Sequence, residues 1–177
     1  MSTLAPDEDY GTLSEPMTLT IQRFLPGPVE RIWAYLTDSD LRRKWLAAGD
    51  MKMEVGAPFT LTWRNNELMK NAGTPPPGYS SEHSMESRIT ELDPPHRITF
   101  TWYTSGTVTF ELSPRGERVL LTVIHRSIPS RDVLLKVGPG WHNHLDVLVA
   151  RVNGREPQPF WDQFPKLQKE YQRRLSV

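Results

Sequence analysis

The sequence contains no cysteine. A disulfide framework, a thiol nucleophile and a cysteine-based zinc site are therefore excluded, and the chain fits a reducing cytosol. Net charge is missing too: Lys plus Arg and Asp plus Glu number 21 each. Without a long-range field, binding to nucleic acid or anionic lipid is not expected. The basic residues Lys166, Lys169, Arg173 and Arg174 are interrupted by Glu170, and helical spacing spreads them over a solvated face. No stretch approaches the roughly 18 consecutive apolar residues of a membrane-spanning helix. The N-terminus, MSTLAPDEDYGTLSEP, has early acids, two prolines and no apolar signal core. A cytoplasmic protein, monomeric or homodimeric, is expected. Internal repeats and low-complexity tracts are absent, and 177 residues suit one domain.

What is present is strand patterning followed by helix patterning. Residues 1–15 are polar and aperiodic, and are expected to form a flexible arm before a single domain over 16–177. Met17–Leu25 alternates as a half-buried strand. After Pro26-Gly27-Pro28, Val29, Ile32, Trp33 and Leu36 recur at helical spacing, and Asp38 is placed to cap a second short helix that ends near Gly49. Strand patterning returns at Met51 and Met53 and at Phe59, Leu61 and Trp63. Asn65–Ser81, centred on three prolines, is too long for a hairpin and is expected to be a mobile loop or lid. Four alternating runs follow, Glu82–Glu91, Arg97–Tyr103, Thr107–Ser113 and Arg118–Arg126, which predicts an antiparallel meander. Gly138-Pro139-Gly140 reads as a turn. The spacing of Trp141, Leu145, Leu148 and Val152 predicts a helix ended by Gly154, and a last helix is expected over 159–175.

The order of these elements, with Pro28-Val29-Glu30-Arg31-Ile32-Trp33, Leu41 to Trp45, Glu91-Leu92-Asp93-Pro94-Pro95-His96-Arg97-Ile98 through Trp102, Leu121-Thr122-Val123-Ile124-His125 and Gly140-Trp141, is similar to the START-like (SRPBCC, birch-pollen-allergen-like) superfamily. It most resembles the branch related to the activator of the ninety-kilodalton heat-shock protein ATPase, and the resemblance runs from about residue 17 to 154. It implies an α+β helix-grip fold, in which a curved antiparallel sheet wraps a long C-terminal helix, with two short helices after the first strand. It also implies an apolar cavity between sheet and helix. The separate chaperone-binding domain of the eukaryotic co-chaperones has no counterpart in this sequence, so direct ATPase activation is not expected.

Aromatic side chains bring large contact areas that suit either a ligand pocket or ordinary core packing. The expected ligand-binding set is Trp33, Trp63, His83, Met85, Trp102, Phe110, His125, Trp141, Leu145 and Leu148. His83 and His125 fall on strands beside apolar neighbours, where a histidine either makes a structural hydrogen bond or acts as a base. No serine or cysteine nucleophile motif accompanies them, and no catalytic residue is assigned. His142 and His144 point about 200° apart on a helix and cannot share a metal, whereas His142 and Asp146 can pair. Glu82 and Glu86 are expected on the solvent side. Neither a metal nor a cofactor is expected.

Three functions follow from this reading. The first is uptake of an apolar or aromatic small molecule without catalysis. The second is a stress-linked, co-chaperone-like interaction module that meets a chaperone or other protein partner near Trp161. The third is a polyketide cyclase or hydrolase using His83 or His125 as base.

Overall fold

Burial alternates along most strands of the computed structural model, which describes residues 7–104 and 106–175. The order is β1 (Thr12–Glu15), β2 (Thr18–Pro26), α1 (Val29–Thr37), α2 (Ser39–Arg42), β3 (Pro58–Trp63), β4 (His83–Asp93), β5 (Arg97–Trp102), β6 (Gly106–Arg115), β7 (Arg118–Arg126), α3 (Arg131–Val152) and α4 (Phe160–Arg174). The strands form one seven-stranded sheet in the order β1-β2-β7-β6-β5-β4-β3. Every neighbouring pair is antiparallel. Successive strand residues point to opposite faces. The buried face therefore carries Leu19 and Ile21 of β2, Leu121, Val123 and His125 of β7, and Val108, Phe110 and Leu112 of β6. Helix α3 lies against the sheet at β2 and against α4, with Leu145 and Leu148 fully enclosed. This is the helix-grip arrangement.

The join between α1 and α2 rests on two side chains. Asp38 ends α1 and caps α2, its carboxylate accepting from the Asp40 and Leu41 N–H groups. Arg42 is fully buried and donates to the carbonyls of Leu36, Thr37, Ala47 and Gly49. Burial lowers its pKa to about 10, against the raising effect of Asp38 and Asp50, which leaves it charged at neutral pH. Gly49 has φ of 145°, and a Cβ there would lie 1.9 Å from the Thr60 carbonyl oxygen, so no side chain fits.

Four expectations change. From Asp7 onward the supposed arm is ordered: Asp7–Asp9 forms a 3-10 turn, Tyr10 is buried, and β1 pairs with β2. Its order comes from partners far away in sequence, such as the Tyr171 hydroxyl, which accepts from the Gly11 N–H at 2.7 Å. Met51 and Met53 lie in an irregular segment, not a strand. The long helix starts at Arg131, capped by Ser130, and runs straight through Gly138-Pro139-Gly140. Pro139 removes one donor from the helix, but Gly138 seats closely on the Tyr171 ring, and packing on α4 carries the helix past it. Trp141 is therefore mid-helix, not at its start. The segment after Trp63 is pinned: Trp161 of α4 donates through Nε1 to Asn66 Oδ1 at 2.6 Å and through its backbone N–H to the Ala72 carbonyl at 2.7 Å. Among the described residues no helix is long and apolar enough to cross a membrane.

Candidate functional site

The interior is filled where α3 crosses the middle of the sheet and open toward the N-terminal half of that helix. The opening is a cavity of about 550 Å³ bounded by β5, β6 and β7, α3, the 78–80 segment and Trp161. Its aromatic wall comes from Trp63, Tyr79, Trp102, Tyr103, Trp141 and Trp161. Trp102 is central, with ring centroids 5.1 Å from His125, 5.4 Å from Trp141 and 5.6 Å from Trp63. Tyr79 stands edge-on to Trp161 at 5.3 Å and to Phe164 at 5.6 Å, which fixes the loop expected as a lid against α4.

Five of the ten residues expected to bind a ligand line this space: Trp63, His83, Trp102, His125 and Trp141. The other five lie elsewhere. Phe110, Met85, Leu145 and Leu148 are core, with Phe110 edge-on to Trp141 at 5.8 Å, and Trp33 is a half-buried residue of α1 packed on the outside of that core. Alternation assigns a side chain to a face but says nothing of how far along the face the packing is closed. Tyr79, Tyr103, His144, Val133, Val137 and Trp161 also line the cavity and were not expected to. Val133 and Val137 would have been found had α3 been extended toward Ser130. Tyr79 and Trp161 leave no signal, because only the tertiary fold brings a proline-rich loop and the last helix to the same opening.

The histidines divide into distinct roles. His83 sits at the mouth, exposed, hydrogen-bonded through Nε2 to the Tyr103 hydroxyl and 5.5 Å from Trp63. Tyr103 itself has φ of 53°, an unusual conformation for a bulky residue, and burial raises its pKa. His125 is buried, and its Nδ1 accepts from the Trp141 indole N–H at 3.1 Å. An indole nitrogen only donates, so the neutral His125 ring carries its proton on Nε2. His144, also buried, has Nδ1 at 2.8 Å from the Trp45 carbonyl oxygen. A carbonyl only accepts, so His144 carries its proton on Nδ1 and leaves Nε2 as a lone pair. Burial lowers both pKa values from 6.5 to about 4, the Trp45 hydrogen bond opposing the shift at His144. Both rings are therefore neutral at pH 7.

His142 turns the other way, as helical spacing requires. Its Nε2 faces Asp146 at 3.4 Å and its Nδ1 meets the Tyr171 hydroxyl at 3.0 Å. Arg23, buried on β2, donates to the same carboxylate at 3.0 Å. Burial pushes the Asp146 pKa up, but His142 and Arg23 together outweigh it and hold the group below its ordinary value. This network fastens β2, α3 and α4 behind the cavity and takes no part in its lining. Glu82 and Glu86 are exposed, and Glu82 pairs with Arg64 at 2.8 Å. Among the described residues no three His, Asp or Glu side chains converge as a metal site.

A protein from Bordetella parapertussis, solved by solution NMR, is 32% identical, with a TM-score of 0.79 over 100% of this chain and 97% of that one. CalU16 from Micromonospora echinospora is 22% identical, with a TM-score of 0.65 over 88% of this chain and 86% of its own. DynU16, from the dynemicin biosynthetic locus, is 17% identical, with a TM-score of 0.62 over 80% of this chain and 49% of that one. The last two share the fold. No curated protein sequence matches the chain. The family described as activator of Hsp90 ATPase homolog 1-like protein matches residues 26–153, which include both short helices, β3 to β7 and all of α3. On that match and the Bordetella likeness, the chain belongs to the activator of Hsp90 ATPase homolog 1-like family.

Proposed function

We propose that the protein binds a small apolar or aromatic molecule in the cavity between its sheet and α3. The observation that carries this reading is an opening of about 550 Å³ walled by six aromatic side chains. Ligand pockets fall in roughly this size range and are lined mainly by apolar and aromatic groups with a few placed polar atoms. Protein interiors are close-packed, so an opening of this size lined by aromatic side chains departs from ordinary core packing.

The catalytic alternative with His83 or His125 as base finds less support. A general base needs a free lone pair toward its substrate. His125 offers the cavity an N–H instead, because its lone pair is engaged by Trp141. His83 lines the mouth, where its Nε2 is engaged with the Tyr103 hydroxyl. CalU16 and DynU16, which share the fold, leave the choice of ligand open.

The test is native mass spectrometry of the purified protein, followed by titration of tryptophan fluorescence with 2-acetonaphthone. Trp63, Trp102, Trp141 and Trp161 all border the space, so saturable quenching is expected. No bound molecule and no saturable response would remove the binding reading.

A further inference from the structure

We propose that the cavity contains a polar subsite, made of His125 and His144 in opposite tautomers, that selects a neutral ring compound carrying both a hydrogen-bond acceptor and a donor. The inference deepens the binding reading above and rests on it.

The partners of the two Nδ1 atoms fix the tautomers. Trp141 gives a proton to one and the Trp45 carbonyl takes a proton from the other. The remaining nitrogens therefore differ: Nε2 of His125 donates and Nε2 of His144 accepts. Both residues are buried, at 1% and 6% exposure, and both line the cavity. Among the described residues neither Nε2 makes a hydrogen bond. Among the described residues, the sealed-off side-chain atoms that make no hydrogen bond are Arg23 Nε, Asn65 Oδ1, His142 Nε2 and Arg151 Nε, so the Nε2 atoms of His125 and His144 border open space. Trp141, which holds His125, precedes His144 by three residues on α3. Trp141 and His144 therefore sit about one turn apart on the same side of the helix, and both polar points open into the same cavity.

The rest of the lining sets the charge of the ligand. Among the described lining residues Lys136 is the one charged side chain, and it is exposed. A carboxylate or ammonium group held between Trp102 and Trp141 would be buried without a counter-charge, which is costly. Burial keeps both imidazoles neutral, so they supply dipoles rather than a cation. A ketone or ether oxygen fits the His125 N–H, and a hydroxyl fits the His144 lone pair. The aromatic rings take the flat body between them.

Two pairs of probes differ only in the hydroxyl: 6-hydroxy-2-acetonaphthone with 2-acetonaphthone, and 3-hydroxyacetophenone with acetophenone; 2-naphthoate supplies the anion. Calorimetry or tryptophan quenching is expected to show at least one hydroxy-ketone binding about 10-fold tighter than its hydroxyl-free counterpart, with 2-naphthoate weakest. In His144→Leu that preference should vanish while the plain ketone still binds. Imidazole nitrogen NMR of the unaltered protein gives a second test, expecting the Nε2–H form at His125 and the Nδ1–H form at His144. Equal affinities within both pairs, or the same tautomer at both histidines, would overturn the subsite while leaving the cavity reading in place. Failure of every probe to bind would overturn the cavity reading itself.

Discussion

Acidification from pH 7 to pH 5 should destabilise this protein. His125 and His144 have folded-state pKa values near 4, set chiefly by burial, against an ordinary 6.5. Below pH 6.5 the unfolded chain takes up protons at these positions and the folded chain does not, so stability falls as pH falls and levels off only below about 4. Each histidine then costs about 2 kcal/mol at pH 5 and about 3 kcal/mol at pH 4. The pair removes about 4 kcal/mol by pH 5, a large share of the 5 to 15 kcal/mol typical of a domain. Carboxylates do not obscure the effect. Asp146 and Glu170, both held below their ordinary values of 3.8 and 4.5, give stability that is present above those values and lost only as pH falls below them. Urea unfolding at pH 7, 6, 5.5 and 5 measures the slope. His125→Gln keeps an acceptor for the Trp141 indole, and His144→Gln keeps a donor for the Trp45 carbonyl, so each should remove about half of the loss. A flat profile between pH 7 and 5, or an unchanged slope in both variants, would refute the burial and neutrality of these rings.

Further perturbations probe the frame around the cavity. Arg42→Met strips four carbonyls, two buried and two part-buried, of their donor and should cost at least about 3 kcal/mol by urea unfolding; a loss below about 1 kcal/mol would show that water replaces the guanidinium. Tyr171→Phe removes the hydroxyl shared by the Gly11 N–H and His142 and should cost about 1–3 kcal/mol, with faster amide exchange across β1. Unchanged exchange there would mean that β1 is held by its pairing with β2 alone. Gly49→Ala drives a methyl into the Thr60 carbonyl and should lower expression and thermal midpoint sharply. A midpoint within a degree or two of the parent would contradict the close approach.

The strands from β2 to β7 and both short helices were legible in the sequence because their signals are local. Leu19 and Ile21 alternate with Thr20 and Gln22, and Asp38 sits where a cap is needed. The amphipathic stripe of Phe160, Trp161, Phe164, Leu167 and Tyr171 likewise announced α4, and all five are buried. The tertiary structure decided what depends on distant contacts. Thr12–Glu15 became a strand only because β2 offers an edge, with Tyr171 accepting from Gly11 nearby. Residues 131–140 became helix despite Pro139 because α4 packs beside them. The cavity shows the same division. Periodicity put Trp63, Trp102 and His125 on the inner face, but whether that face was filled or open depended on where Phe110, Leu145 and Leu148 met. The tautomers of His125 and His144 lay furthest from the sequence, since each is set by one nitrogen's neighbour across the fold, the Trp141 indole in one case and the Trp45 carbonyl in the other.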